Sequence, residues 1–416
     1  MTNTIQTVSG NAKKLVKMAA ADLADQVHFF KAARKMSASE FKPDATGHSP
    51  GQTVSVRIPS QANVIEDNFD ITGAIGDIKE RSVDMVLNKS ATVSIGLTTN
   101  ELAHTTNIGE IYDRYLKTRI QDMAASIEAR FLQEATQNVA NLVGTAGSTV
   151  VDPDTVMAGR EKLGKFLCPK GKDRHFLMDS TSMRSAVNAN KSLFVFGKEE
   201  WGQGYIGDAL GLSWLENELL YRHTNGNDVT GVAVEASVVT IAEGMTTLGV
   251  DGLTADTGTI TKGTVFTIAG VYAVHPQTKA TLPFLKQFVH VGSTVTANAS
   301  GQVELTLDEP LYSSTSNELQ NVSALPVDET GTLTFVGAAS GSYTQSLMFH
   351  KEAFRVVSVP LALPTNAEFA EQASESGMNI AIVRDYDQLT RKFITRLDFL
   401  GGIVPVRPRW ACRVTD

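Results

Sequence analysis

A chain of 416 residues is long enough for two or three domains and a sizeable core, and 42% hydrophobic with 20% charged residues is a globular composition. Its formal net charge of −8 excludes a surface built to neutralise nucleic-acid phosphates broadly, though not a container whose inner wall tolerates nucleic acid. Two cysteines, Cys168 and Cys412, exclude a disulfide framework, and no paired-Cys or paired-His spacing offers a zinc site. The polar start, Met1 to Gly10, lacks the apolar core of a signal peptide, and no run of about 18 apolar residues reads as a membrane span.

In chain order, residues 11–35 carry a helical pattern through Leu15, Met18, Leu23, Val27 and Phe30, with Lys13, Lys14 and Lys17 at one end and Lys31, Arg34 and Lys35 at the other. Turn residues fill 37–52, and Thr53–Pro59 then alternates as a strand. A charged loop over 63–82 holds Glu66, Asp67, Asp70, Asp77, Lys79, Glu80 and Arg81, and a second alternating run follows from Ser82 to Gly96. Together these runs predict an extended hairpin too poor in apolar residues to build its own core, so it must lie on another surface.

The longest pattern runs from Thr105 to Leu142, with Ile108, Ile111, Tyr115, Ile120, Met123, Ile127, Phe131, Ala135, Val139 and Leu142 on one stripe. It predicts one helix, capped at Asn107 and ended by Gly144 and Gly147, roughly 50 Å long. Shorter helices are predicted over 153–166 and 180–192, with a strand at Phe176–Met178 between them. From Asn225 to Tyr343 the pattern becomes all-β. Short runs at Val238–Ile241, Thr264–Ile268, Phe288–Val291, Val303–Leu307 and Leu333–Val336 are separated by turns at Asp251-Gly252, Lys262-Gly263, Ser300-Gly301 and Thr330-Gly331. About 120 residues of this kind suffice for an inserted domain. The closing segment predicts a strand over Ala353–Leu363, a short helix over Pro364–Ser374, strands over Asn379–Arg384 and Lys392–Phe399, and a docked end at Trp410.

Catalytic constellations are missing. Gly202-Gln-Gly204-Tyr-Ile-Gly207 matches the dinucleotide fingerprint literally, but lacks the strand directly before it, the helix opening within it and the later acidic residue. It therefore reads as a loop of close backbone approach. The eight histidines are dispersed, His175 and His223 reading as local hydrogen-bonding residues and Asp385 with Asp387 as a solvated turn. No catalytic, cofactor or metal site is assigned.

The order of these segments, with three stretches in particular, resembles the major capsid proteins of tailed double-stranded DNA phages. That is the HK97-like fold, in the group typified by phage P22 coat protein. Thr53-Val-Ser-Val-Arg-Ile-Pro59 followed by Asp67 to Thr72 is similar to the entry of that group's extended loop. Lys262–Val271 with Phe288–Val291 is similar to its insertion domain, and Ala353–Leu361, Arg396–Gly401 and Arg407–Arg413 are similar to its C-terminal strands.

The resemblance implies an α+β HK97-like capsid fold with an all-β, barrel-like insertion. Residues 1–40 would be the N-terminal arm, 41–103 the extended-loop region, and 104–143 the spine helix of the peripheral domain. Residues 144–223 would begin the axial domain, 224–344 would be the insertion, and 345–416 would complete the peripheral and axial domains. The chain would assemble as hexamers and pentamers into an icosahedral shell around double-stranded DNA, in the virion, after assembly in the bacterial cytoplasm. Its partners would be scaffolding protein, a portal and non-specifically contacted DNA, with no membrane. Glu66, Asp67, Asp70, Asp77, Lys79, Glu80 and Arg81 would make inter-subunit contacts. Lys79 and Lys89 are present, but nothing marks the carboxylate environment that a self-made lysine crosslink needs, so none is expected. A tail-tube or decoration protein, or a hydrolase using for example His223 and Asp228, are the alternatives. The basic N-terminal helix is the candidate lumenal contact, so reversing the charges of Lys13, Lys14 and Lys17 should impair scaffold-dependent assembly, and normal shells by electron microscopy would refute it.

Overall fold

A computed structural model describes residues 6–36, 51–58, 81–98, 116–148, 152–189, 208–314 and 318–415; within these, the side chains of 6–15, Arg81 and Leu97 are left aside. The fold is a mixed α+β one, in two compact units that each draw on several stretches of chain. The first comprises residues 1–56, 82–132 and 354–406, and the second residues 57–81, 133–353 and 407–416.

The first unit is built on the long strand Lys392–Pro405. One of its edges pairs with Lys89–Thr98 over ten residues, from Lys392 opposite Thr98 to Gly401 opposite Lys89. Its other edge pairs first with Met378–Asp387 and then with Phe354–Ser358, and the sheet continues to Phe369–Glu375 on one side and Arg34–Lys35 on the other. Helix Gln6–Gln26 packs on the 369–375 and 378–387 strands, and its residues Val16, Ala19, Ala20, Leu23 and Ala24 are buried. Helix Lys117–Gln137 brings Phe131 against both Phe30 and Phe399, at ring distances of 6.0 and 6.4 Å. The same helix supplies Glu128, a buried carboxylate that accepts a hydrogen bond from the Phe29 backbone N–H at 2.7 Å. That bond caps the short helix His28–Ala32, whose own N-cap residue, Val27, has no side-chain oxygen to offer.

Three predictions change in this unit. The N-terminal helix is two helices, because Val27 is extended (φ −95°, ψ 91°) and buried. The run from Ser82 to Gly96 is two strands, Arg81–Val86 and Lys89–Thr98, and only the first pairs with Thr53–Ile58. The second belongs to the sheet. The helix expected over Pro364–Ser374 is instead a strand from Phe369 to Glu375, closed onto its neighbour by the two-residue turn Ser376-Gly377. Both turn residues have positive φ (50° and 79°), the geometry that matches the twist of two antiparallel strands. Strand pairing there outweighs the helix preference of the Ala, Glu and Gln residues.

The second unit has two parts. A mixed sheet runs in the order Leu142–Val143, Ala411–Thr415, Ser342–His350, Arg174–Met178, Leu212–Glu216, Asp208–Ala209. Helices Pro153–Lys165 and Ser180–Ala189 bury Val156, Leu163, Met183 and Ala186 in the core that this sheet shares with Phe176, Trp214 and Met348. Asp152 caps the first of them through the Thr155 N–H at 2.8 Å, with Pro153 in its first turn. The predicted long helix stops at Gln137, short of Leu142. Residues 139–143 are all buried, and so short a stretch, buried on every side, carries no period that separates helix from strand. The parallel pairing of Leu142 with Arg413 and Val143 with Val414 decides for strand, and the start expected at Asn107 lies outside the described residues.

Between Thr224 and Ser342 the described residues hold strands and turns but no helix. They form three short sheets rather than one continuous ladder: 233–234 with 247–251 and 303–306, 259–260 with 295–296, and 281–289 with 265–274 and 333–335. Single bridges link Ala233 to Thr332, Ala273 to Val322 and His290 to Leu307. One core serves all three, centred on Phe266 stacked on Phe288 at 5.8 Å and tilted on Phe335 at 5.7 Å. The strand expected at Val238–Ile241 is a turn and coil. It crosses over the 247–251 strand at Gly249, where an added Cβ would sit 2.5 Å from the Glu235 carbonyl and 2.6 Å from the Val238 Cβ. Only a bare backbone admits that crossing.

Phe399 is 1% exposed and joins the long strand to the 117–137 helix. Phe399→Ala should cost about 3–5 kcal/mol, read from the urea midpoint of the full chain.

Candidate functional site

The described residues do not assemble an active centre. Among them, no group of three or more His, Cys, Asp and Glu is placed to hold a metal ion. Asp228 accepts a hydrogen bond from the Thr254 N–H at 2.5 Å, while the His223 ring lies beside the Thr264 hydroxyl at 3.4 Å. Burial, and then the nearby Arg413 charge, push the His223 imidazole down to about 3, so it is neutral at physiological pH. His175 lies tilted against Phe349, and its Nδ1 is buried without a hydrogen bond, unlike the locally bonded side chain expected. Both cysteines are buried, and burial raises both thiols, Cys412 to about 11, which makes them poor nucleophiles. The Gly202–Gly207 motif lies outside the described residues.

The strongest concentration of charge is structural and joins the inserted strands to the rest of the second unit. Glu309, next to the 303–306 strand, sits between Lys286 and Arg409. Lys286 Nζ donates to its Oε1 at 2.5 Å, and Arg409 donates from Nε at 2.9 Å and also from Nη2 to Oε2. Lys286 also lies over the Phe288 ring at 5.6 Å. Burial alone would raise the Glu309 carboxyl; Arg409 and Lys286 outweigh it and hold the group down at about 2. Asp308 lies beside the pair without such partners. Burial, then the Glu309 charge, pushes it up to about 7, and its Oδ1 is buried with no hydrogen bond. A cavity of about 20 Å³ lies here, lined by Asp308, Asn141 and Phe284 among others, large enough for one water.

Side-chain amides extend the junction. Gln287 accepts from the Leu142 N–H at 2.8 Å and donates to the Leu142 carbonyl at 3.0 Å, standing in for a strand neighbour. Lys162 binds the same carbonyl and the same amide oxygen. Asn141 donates to the Arg409 and Ala411 carbonyls, and the fully buried Arg413 donates to the Gly263 carbonyl at 2.8 Å and to Gln345 at 2.9 Å. The sequence pointed to none of these residues as a cluster. Its available signals were the adjacent carboxylates Asp308-Glu309 within an apolar β region and the arginines at 407, 409 and 413.

The predicted contact residues Glu66, Asp67, Asp70, Asp77, Lys79 and Glu80 lie outside the described residues, and Arg81 opens a strand whose first side chain is left aside. The hairpin that carries them is described at its base. Gly51 and Gln52 extend its ladder to Leu87, with 2.9 Å bonds each way. Of its described residues only Val56, Met85 and Leu87 are buried.

Glu309→Ala leaves two cations without their carboxylate and should cost about 3 kcal/mol. Asp308 holds its proton more tightly folded than unfolded, so its contribution is complete below the ordinary value of 3.8 and is lost as pH rises through about 7. Asp308→Asn should therefore gain stability relative to the native chain as pH rises from about 4, levelling off above about pH 8. A pH-independent difference in urea midpoint would refute this.

Comparison with known proteins settles the family. The model of the P22 coat protein family (gene protein 5) matches residues 25–412. No curated protein matches the chain. Solved structures similar to it include the capsid of Ralstonia phage GP4, at 7% identity over 92% of this chain and 89% of that one, with a TM-score of 0.47. The capsid of cyanophage P-SCSP1u is similar at 10% identity over 92% and 88%, with a TM-score of 0.44, and a structure from Mycobacterium phage Che8 at 11% over 91% and 96%, with a TM-score of 0.41. It is the family match, spanning most of the sequence, that carries the assignment: the chain belongs to the P22 coat protein family and is a structural major capsid protein of an icosahedral phage shell.

Proposed function

We propose that the chain adopts the HK97-like arrangement and self-assembles into hexamers and pentamers that close the shell, without catalytic activity. The observation that carries this is the family match over residues 25–412. Residues 1–40 act as the N-terminal arm, 41–103 as the extended loop, 104–143 as the spine, 144–223 and 345–416 as axial and peripheral segments, and 224–344 as a barrel-like insertion. The charged hairpin loop from Glu66 to Arg81 lies on a neighbouring subunit. Its support is the thinly buried base of that hairpin, since two strands with three buried side chains do not hold together in water unaided. Scaffolding protein and portal direct assembly in the host cytoplasm, and the lumen meets packaged DNA without sequence preference.

Negative-stain microscopy of the overexpressed chain with its scaffolding partner tests this. Shells or polyheads are expected, running as a single band on denaturing gels because no lysine crosslink forms. Tubes would favour a tail protein, stable monomers would refute assembly, and a covalent ladder would refute the missing crosslink.

A further inference from the structure

Three arginines of the second unit can be compared by one edge of the guanidinium, Nε with Nη2. Arg409 sets that edge on the Glu309 carboxylate. Arg174, 2% exposed, sets it on two carbonyls, Nε on Pro169 at 2.8 Å and Nη2 on Cys168 at 2.6 Å. Arg413 is 0% exposed and commits Nη1 to the Gly263 carbonyl and the Gln345 side chain, while its Nε and Nη2 are buried with no acceptor among the described residues. Two adjacent donors on a planar cation make a fork that fits an anionic acceptor.

The surroundings of that fork are polar. Strand Ala411–Thr415 places Thr415 two residues from Arg413, on the same face, and pairs it with Gln345. The Thr415 hydroxyl is buried without a partner as well. Close by, Tyr221 accepts from Gln137, and the neutral His223 lies beside Thr264. Lys262, next to Gly263, is already paired with Glu134 at 3.1 Å. Over the junction as a whole, charge is out of balance among the described residues. Lys162, Lys286, Arg409 and Arg413 stand against Glu309 and Asp308, and burial pushes Asp308 up to about 7, toward its neutral form. A buried cation is costly until counter-charge reaches it. A water would accept from the fork without supplying that charge, and full burial leaves no route for a partner's carboxylate or a bulky phosphate.

We propose that the Nε and Nη2 edge of Arg413 binds a chloride-sized monovalent anion, enclosed as the C-terminal strand docks, with the Thr415 hydroxyl as a third donor. The anion does for Arg413 what Glu309 does for Arg409. The site is independent of assembly, because every group that forms it belongs to one chain.

The test is urea unfolding of the full-length chain, at subunit concentrations too low for assembly and at about pH 6, where Asp308 is mostly protonated. Sodium chloride is exchanged for sodium gluconate at constant ionic strength, gluconate being too bulky for an enclosed site. One anion held only by the folded chain lowers the unfolding equilibrium constant by about tenfold for each tenfold rise in chloride above its Kd, and bromide should replace chloride. Arg413→Met removes the fork, and Gln345→Glu sets a carboxylate against Arg413 Nη1. Both are expected to abolish the chloride dependence, and the second keeps the guanidinium in place should the first fail to fold. A native chain indifferent to chloride overturns the proposal and assigns the fork to water. A dependence retained by either folded variant overturns it too, and places the anion elsewhere on the chain.

Discussion

The second unit depends on a carboxylate that three distant parts of the chain need at once. Glu309 arrives on the inserted strands, Lys286 reaches it from the neighbouring strand, and Arg409 comes from the C-terminal tail. Each of these charges is largely removed from water, so any one of them placed without the others is costly. Docking is therefore cooperative. Once Arg409 is seated, Trp410 donates to the Phe166 carbonyl, Asn141 binds the tail backbone, and Arg413 reaches the Gly263 carbonyl. Asp308 shows the cost of lacking a partner, because the same burial drives it toward its neutral form.

In the first unit a single strand plays the corresponding part. Lys392–Pro405 has neighbours along both edges, and one of them, Lys89–Thr98, comes from some three hundred residues earlier. Arg130 of the 117–137 helix donates to the Ser90 and Asn88 carbonyls, tying the helix to the start of that edge strand. The remaining hairpin, 53–58 with 81–86, is left with little to bury. A coat protein uses such a surface differently from an enzyme, because what one copy leaves uncovered another can cover.

Local pattern made much of this legible. The alternation of 53–58, the Asp152-Pro153 helix start, the glycine-punctuated β region and the docked, half-buried Trp410 end all follow from side-chain periodicity and capping. The failures share a cause. Val139 and Leu142 satisfy a helical stripe, yet belong to an extended segment because the last residues of the chain pair with it. Residues 369–375 have helix-forming composition, yet pair with 378–387. Both are settled by partners that a local window does not contain. The ionic junction was hidden for the same reason, since 286, 309 and 409 share no spacing. Of the predicted contact residues, only Arg81 falls within the described backbone.

The strand Ala411–Thr415 lies inside its sheet, with Leu142–Val143 on one edge and Ser342–His350 on the other. During synthesis at about 5–20 residues per second, the inserted strands are complete for roughly 4–15 s before that last strand exists. For most of this interval the 342–350 strand offers an open edge, and Glu309 faces Lys286 without Arg409. Neither unit can close before residues 392–415 have emerged, so a chain short of them has no complete subunit to offer its neighbours. Emergence of the 411–415 strand thus sets the earliest moment at which a copy can join a shell.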